Sequence, residues 1–368
     1  LVFAHYSSRG YDLARAPLVR GEAAGEYRDA FPEALPDPQA SDAPAKPYSV
    51  WPSLGPRFFT PFVEPPSGEW RLGAATGSID ALSRVTWGIA ASSGLRSGAG
   101  EALAYLSYAR FTPAFTVLAR RDVLDIAKIE AGDATARELR VSVEVPVERS
   151  LRRRQTATAT IKWRREAIPG RPLDEAAAAF VWDLDSTRQY PLSISPQDGL
   201  RARAVVSRSL SGLGADLEYT KAWATVSGYR RAGSSVVAIR LGGGWVWGAQ
   251  AGKAAFAVGG LSTPALLDPS GDDPSVLRGY RKAALDDIDR TGTRLAFGNV
   301  EWRVPLGFPQ RGYRAFPFFI RHLHASLSLD AATVSSRRLD LQRPFVGVSA
   351  GIGANLLLGH RFPVTVTT

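Results

Sequence analysis

The clearest pattern in this chain is the strict alternation of apolar and polar residues. In the segment 297–306 the polar residues fall on one face of a predicted strand: Asn299, Glu301 and Arg303. The apolar residues fall on the other face: Val300, Trp302 and Val304. Because successive side chains of a strand point to opposite faces, this spacing predicts a strand with one polar side and one apolar side.

The segment 322–330 repeats this arrangement. One face carries polar residues: His322, His324, Ser326, Ser328 and Asp330. The opposite face carries apolar residues: Leu323, Ala325, Leu327 and Leu329. Two neighbouring polar faces are therefore available to the segment that precedes both strands in the chain.

Alternation of this kind recurs along the chain, and no clear segment has a helical period. We predict strands near 70–79, 83–94, 101–111, 113–121, 134–148, 153–168, 176–192, 198–211, 217–231, 234–248, 251–258, 291–306, 313–333, 344–358 and 360–368. Eleven of these precede a long segment at 259–290, and four follow it. The sequence therefore predicts an all-β protein of antiparallel strands.

Such alternation is typical of a soluble sandwich, whose apolar face is the core, and of a membrane barrel, whose apolar face meets lipid. Many predicted strands reach the roughly nine to eleven residues that a tilted spanning strand needs. Tryptophans recur toward strand ends, and charged residues crowd the polar faces, as a lumen permits. No run approaches the roughly 20 apolar residues of a membrane helix, so the pattern favours a transmembrane antiparallel β-barrel.

Composition adds little to this picture. The 368 residues include 45 Lys and Arg against 35 Asp and Glu, which gives a net charge of +10. A basic balance can indicate nucleic-acid binding, but here the basic residues sit singly along alternating strands, and we expect no nucleic-acid partner. The chain has no Cys, so it contains no disulfide framework and no thiol metal site.

The N-terminal part differs from the alternating region. Residues 1–18 resemble the closing strands of a TolB-like propeller blade, although an ordinary hairpin explains them equally well. Residues 19–66 combine a Pro, Ala, Asp and Glu-rich linker with an aromatic, proline-rich entry segment that suits a membrane interface. Neither an initiator Met nor a signal peptide is visible, so we expect the chain to begin within a longer protein or after processing. We assign 1–18 as the possible end of a periplasmic propeller and 67–368 as the barrel.

A short motif precedes the two strands described first. Arg278, Gly279 and Tyr280 form an Arg-Gly-aromatic triplet in the long segment, and Glu301, Arg303 and Pro305 form an ExRxP pattern in the next strand. Asp330 ends the polar face of the strand after that. This combination resembles the outer-membrane barrel superfamily of BamA, TamA and two-partner secretion transporters, of the bacterial surface antigen type.

The resemblance implies about 16 strands, with the Arg-bearing loop folded into the lumen after the eleventh. Our 15 predicted strands match this count before the loop and fall one short after it, and we expect the last strand to lie outside this sequence. A buried guanidinium demands carboxylate partners such as Asp330 and Glu301, so we predict that Arg278 pins the loop inside the barrel. Gly279 would allow close approach to the wall, and Tyr280 would add an aromatic anchor.

Catalytic chemistry is poorly represented. His322 and His324 could face a metal together, but no third ligand is identifiable, and no nucleophile-elbow, HExxH or phosphate-loop pattern occurs. We therefore assign no catalytic residue, no cofactor and no metal. An enzymatic or ligand-binding outer-membrane barrel is the alternative.

The resemblance also implies a function and a location. We expect an integral protein of the bacterial outer membrane that acts in insertion, translocation or assembly of proteins or lipids. Its expected partners are outer-membrane lipids and other outer-membrane or periplasmic proteins. A structural subunit of a larger outer-membrane complex and a passive pore are the alternatives.

Overall fold

The computed structural model contains two separate units, residues 1–49 and 50–368. It describes residues 2–7, 10–15, 48–64, 70–123, 135–167, 172–190, 193–259, 277–278, 280, 289–313, 316–358 and 362–367. Within its described residues the first unit contains an antiparallel hairpin, β1 (Val2–Ser7) and β2 (Gly10–Arg15). This hairpin agrees with either of its two sequence interpretations, so the propeller assignment stays a prediction.

The second unit is built from long antiparallel strands. The first eleven are β3 (Phe58–Glu64), β4 (Arg71–Ile79), β5 (Val85–Gly94), β6 (Gly100–Tyr108), β7 (Ala114–Val123), β8 (Thr135–Arg149), β9 (Arg154–Ala167), β10 (Leu173–Asp185), β11 (Gly199–Ser209), β12 (Thr220–Ala232) and β13 (Ser235–Trp247). The later elements are β14 (Phe256–Ala257), β15 (Thr291–Gly292), β16 (Arg294–Gly307), β17 (Arg311–Tyr313), β18 (Phe316–Ser335), β19 (Phe345–Leu358) and β20 (Phe362–Thr367). Short 3-10 helices cover Trp51–Ser53, Ser211–Leu213 and Ala251–Ala254.

Fifteen of these strands pair in chain order from β3 to β20 to form one antiparallel sheet, the wall of a transmembrane β-barrel. β17 pairs with β18 outside this order, and β14 and β15 form a separate pair at the ends of the long segment. In the described part of the chain β3 and β20 are the two edges of the sheet. None of the helices that the structure describes has the length and apolar content needed to cross a membrane.

Burial along the strands is inverted relative to a soluble protein. In β18 the outward-facing Leu327 and Leu329 are each 50% exposed, whereas Ser328 and Asp330 between and beside them are 3% and 0% exposed. In β16 Val300 is 44% exposed and Asn299 only 6%. At these positions polar residues face the interior and apolar residues face outward, which is the pattern of a wall facing lipid.

The predicted count of 15 strands in the wall is confirmed. The prediction omitted one wall strand, β3, and included one segment, 251–258, that is not a wall strand, so the total is unchanged. The sheet starts at β3, inside the segment that we had assigned to the entry region, so the predicted boundary at residue 67 falls after the first strand. Pro61 obscured this strand, because proline is tolerated mainly on sheet edges. The predicted strand at 251–258 is instead a 3-10 turn followed by the two-residue β14. Gly248, with φ of +123°, turns the chain away from the wall at this point.

The outward apolar face generates a stability prediction. Replacing Val300 with Arg at the centre of β16 should lower the free energy of unfolding by about 2–4 kcal/mol, because a cation on the lipid face loses its hydration. Leu341→Arg, in the exposed turn between β18 and β19, is the matched control and should change it little. Urea unfolding in lipid vesicles measures both, and equal effects would contradict a lipid-facing position for Val300.

Candidate functional site

The candidate site forms where the long segment after β13 returns to the inner face of the wall. Arg278 donates three hydrogen bonds to Asp330 of β18. Its backbone N–H and its Nε bond Oδ2 at 3.0 and 2.8 Å, and its Nη2 bonds Oδ1 at 3.0 Å. This is a bidentate guanidinium–carboxylate pair with the backbone added, a geometry that fixes direction as well as distance.

A second carboxylate completes the arrangement from β16. Nη1 of Arg278 lies 3.2 Å from Oε2 of Glu301, and Arg303 holds both oxygens of Glu301 from the other side at 2.9 and 3.2 Å. Nδ2 of Asn299 donates to Oδ1 of Asp330 at 3.0 Å. Two cations, two carboxylates and one amide thus form a continuous network.

Strand pairing explains why these groups meet. Asn299 lies directly opposite Asp330, and Asp330 lies opposite Gly347 of β19. Glu301 and Arg303 follow Asn299 at intervals of two, so all three side chains project to the same side. The predicted polar faces of the two strands therefore become one surface.

Burial and neighbouring negative charge act in opposite directions on the pKa of Arg278. Burial disfavours the guanidinium charge, but the hydrogen bond to Asp330 and the negative charge of Glu301 outweigh it, so the pKa of Arg278 lies above its usual value. Asp330 is fully buried, so removal of the arginine would leave a carboxylate in the lumen without its cation.

The aromatic of the motif reaches the next strand. The Tyr280 ring packs edge-on against Phe345 with centroids 6.0 Å apart, and its hydroxyl donates to the carbonyl of Val346 at 3.1 Å. Gly279, to which we assigned close approach to the wall, lies outside the described residues. The structure shows such a close approach at Gly347 of β19. A Cβ added at Gly347 would collide with the carbonyl oxygen of Arg278.

The remaining member of the predicted strand motif, Pro305, lies away from Arg278. It pairs with His324, and the register shifts between Pro305 and Gly307. A proline cannot donate to the ladder, so its position beside this irregularity is expected. The structure thus brings five of the seven predicted residues to the network or its aromatic anchor, leaves Pro305 at the bulge, and does not describe Gly279.

Two residues of the site were missed by sequence reasoning. The position of Asn299 was predictable, because it lies two residues before Glu301 and therefore on the same face of the strand. Its bond to Asp330 was not predictable, because an amide can bond many kinds of partner. The contact at Gly347 could not be predicted, since Gly347 is one of several glycines in β19.

Comparison with solved structures identifies the architecture. BamA from Haemophilus ducreyi lacking POTRA domains 1–3 superposes with a TM-score of 0.54 at 13% sequence identity, over 84% of this chain and 65% of that one. CdiB from Escherichia coli gives a TM-score of 0.52 at 12% identity, over 81% of this chain and 56% of that one. The chain has the barrel fold of BamA and CdiB. It spans less than two thirds of either protein, and no protein-family profile and no curated protein matches the sequence.

In this barrel the docked segment adjoins a group of buried apolar side chains, here called the lumen apolar cluster. Leu277, next to Arg278, is 0% exposed within it. Its other members come from β12, β13, β16, β18 and the segments beside them: Leu217, Tyr219, Trp223, Val246, Phe256, Val258, Leu295, Phe297, Ala332 and Val334. The chain at Leu277 and Arg278 is therefore held by apolar packing as well as by the ion pairs.

The paired histidines also line the interior of the barrel. His322 and His324 have ring centroids 6.2 Å apart, and His322 contacts Asn355 of β19 and the ring of Phe308. In the part of the chain that the structure describes, no three His, Asp or Glu side chains are grouped to hold a metal ion.

Removal of the guanidinium should weaken the barrel. Arg278→Ala should lower the free energy of unfolding by about 3–5 kcal/mol, because it leaves Asp330 buried without its partner. The unfolding temperature on semi-native gels measures this loss, and Arg153→Ala, at a half-exposed surface pair, is the control. An unchanged unfolding temperature would refute the proposed role of Arg278.

The glycine opposite the loop gives an independent test. Gly347→Ala should displace the Arg278 backbone and lower the unfolding temperature while every charge of the network is retained. Gly228→Ala, in β12 where an added Cβ meets nothing within 4 Å, is the matched control. If both variants melt alike, the loop does not rest on Gly347.

Proposed function

We propose that this chain is the integral outer-membrane barrel of a BamA-like protein that acts in insertion, translocation or assembly of proteins or lipids. The observation that carries the proposal is the docking of the Arg-Gly-Tyr segment by Arg278 on Asp330 and Glu301, on a barrel of this fold. The motif resembles that superfamily in sequence, and the contacts that it makes support the same proposal from geometry. The proposed role needs no cofactor and no catalytic residue.

The proposed mechanism uses the edge strand β3. It has seven residues, includes Pro61, and pairs on one side with β4 in the described residues. An edge strand presents backbone donors and acceptors that can template the strand of another protein. If the wall opened beside β3, a client strand could pair with β3 and then move sideways from the wall into the lipid.

The contents of the lumen favour this role over a passive pore. The lumen apolar cluster and the Arg278 network both occupy the interior beside the long loop. Charged and apolar groups packed there leave less room for a water-filled channel. A structural subunit of a larger complex is the alternative that experiment must distinguish.

Site-specific photocrosslinking tests the edge mechanism in the full gene product. Benzoylphenylalanine in place of Phe59, on β3, should capture several different outer-membrane proteins as they assemble. The matched control is the same replacement of Phe180, which is similarly outward-facing on β10 but paired on both sides. The control should capture none of them, because no strand edge is available there.

Other outcomes would reject the proposal in different ways. One stoichiometric partner captured from both positions would indicate a structural subunit. A large steady conductance of the reconstituted protein in planar bilayers, with no captured client, would indicate a pore.

A further inference from the structure

Three arginines form a row on the outward face of the wall, here called the outer arginine row. Arg121 of β7 lies directly opposite Arg137 of β8, and Arg137 lies directly opposite Arg165 of β9. All three residues are exposed. Residues directly opposite each other share a face, with Cβ atoms about 4.5–5.5 Å apart, and like charges in such positions destabilise the pairing. Strand pairing alone therefore does not account for this row.

The row lies where the apolar outer face ends. Two positions nearer the middle of the three strands, the same face carries Ala119, Leu139 and Trp163, and Leu139 is 44% exposed. Beyond the row, β7 and β8 are joined by the long connection 124–134, whereas β8 and β9 are joined at the opposite end by 150–153 alone. Long connections of outer-membrane barrels face the outside, and Trp is typical of the level of lipid headgroups. In such a barrel the row would lie among the headgroups of the outer leaflet.

The inward face of the same strands shows how the wall neutralises charge. On the adjacent positions Arg120 lies opposite Glu138, Glu138 lies opposite Arg164, and Arg164 lies opposite Glu175. Charges alternate along this inner row, and the side chain of Glu138, only 4% exposed, lies 3.5 Å from Nη1 of Arg164. Opposite charges directly across from each other stabilise a sheet. The outer arginine row, one position away on β7, β8 and β9, has three charges of one sign instead.

Acids lie at only one end of the outer arginine row. Asp174 of β10 lies opposite Arg165, but Nε of Arg165 is 3.6 Å from its Oδ1, beyond hydrogen-bond distance, and the two side chains are 45% and 69% exposed. Asp216, which follows β11, accepts a hydrogen bond from the backbone N–H of Asp174 at 2.7 Å. In the part of the chain that the structure describes, Arg121 and Arg137 contact no acidic side chain. Two adjacent, exposed guanidinium groups are therefore available to an anion.

We propose that the outer arginine row binds the phosphate group of a membrane lipid. A guanidinium presents its donors in a planar fork that matches phosphate oxygens, and two neighbouring forks can hold one phosphate from two sides. Long arginine side chains also lie along apolar surface while their charged heads stay at the polar boundary. The apolar residues of the same face, Leu139 and Trp163 among them, would adjoin the acyl chains of the same molecule. This continuity favours a lipid headgroup over a free phosphate ion.

The lipid site lies apart from the features that carry the proposed function. β4, β5 and β6 separate it from the edge strand β3, and Arg278 is bonded to β16 and β18. The inference rests on a wall that spans a membrane and not on a role in assembly. Loss of lipid binding with client capture intact, or the reverse, would therefore tell the two proposals apart.

Replacing the central arginine of the row tests the site. Native mass spectrometry of the full gene product, in a phosphate-free neutral detergent, counts bound molecules of short-chain phosphatidic acid and gives their Kd. We expect one saturable site in the unaltered protein. Arg137→Gln should weaken the Kd about fivefold, which is the contribution of one arginine near an anionic lipid surface. Arg121→Gln should behave in the same way.

The matched control is Arg208→Gln on β11. Arg208 is exposed and shares a face with Val206, which is 47% exposed, but it lies opposite Ala178 and Thr220, so no arginine stands beside it in the ladder. This variant should bind phosphatidic acid like the unaltered protein. Phosphatidylcholine, whose headgroup is zwitterionic, should show no such site in any of the variants.

Other results would overturn the proposal. Absence of saturable phosphatidic acid binding, or an equal Kd in the Arg137→Gln and Arg208→Gln variants, would remove the lipid site. Displacement of the lipid by inorganic phosphate at equal concentration would indicate a site for a soluble anion instead. Without anionic lipid, Arg137→Gln should unfold at a temperature no lower than the unaltered protein, because it relieves repulsion between like charges. A clearly lower temperature would show that Arg137 is held within the protein, and it would also overturn the proposal.

Discussion

The pair between Arg278 and Asp330 depends on the wall that surrounds it and in turn ties that wall to the loop. Asp330 is fully buried, and a carboxylate in such a place requires a cation with good geometry. The cation comes from a segment about fifty residues away in the chain. Three hydrogen bonds to one carboxylate, and a second carboxylate fixed by Arg303, offset the loss of hydration that both charges suffer.

The same constraint explains the division of the interior. Lipid outside the barrel favours an inward position for charged and polar side chains in the middle of the strands, where they must find partners within the lumen. Close to the long loop the wall supplies aromatic and aliphatic groups, which cover Leu277. On the neighbouring strands it supplies arginines and acids, which surround a cavity of about 500 Å³. The loop reaches both regions through adjacent residues, Leu277 and Arg278.

The faces of the strands and most residues of the Arg278 network could be predicted from the sequence, because side chains alternate between the two faces of a strand with a period of two. That period placed Asn299, Glu301 and Arg303 on one face and fixed the face of Asp330, and the structure agrees with both. It failed at β3, where Pro61 and the surrounding aromatics resembled a loop, and at 251–258, where Phe256 turns inward to the lumen apolar cluster. The outer arginine row was beyond prediction, because the meeting of Arg121, Arg137 and Arg165 depends on register between strands, which parity within one strand does not determine.

The loop contacts three consecutive strands: β16 through Glu301, β18 through Asp330, and β19 through the carbonyl of Val346. A single segment bonded to three neighbours acts as a brace across them. Separating β16, β18 and β19 from one another would therefore require the bonds of this segment to break as well as the ladder between the strands.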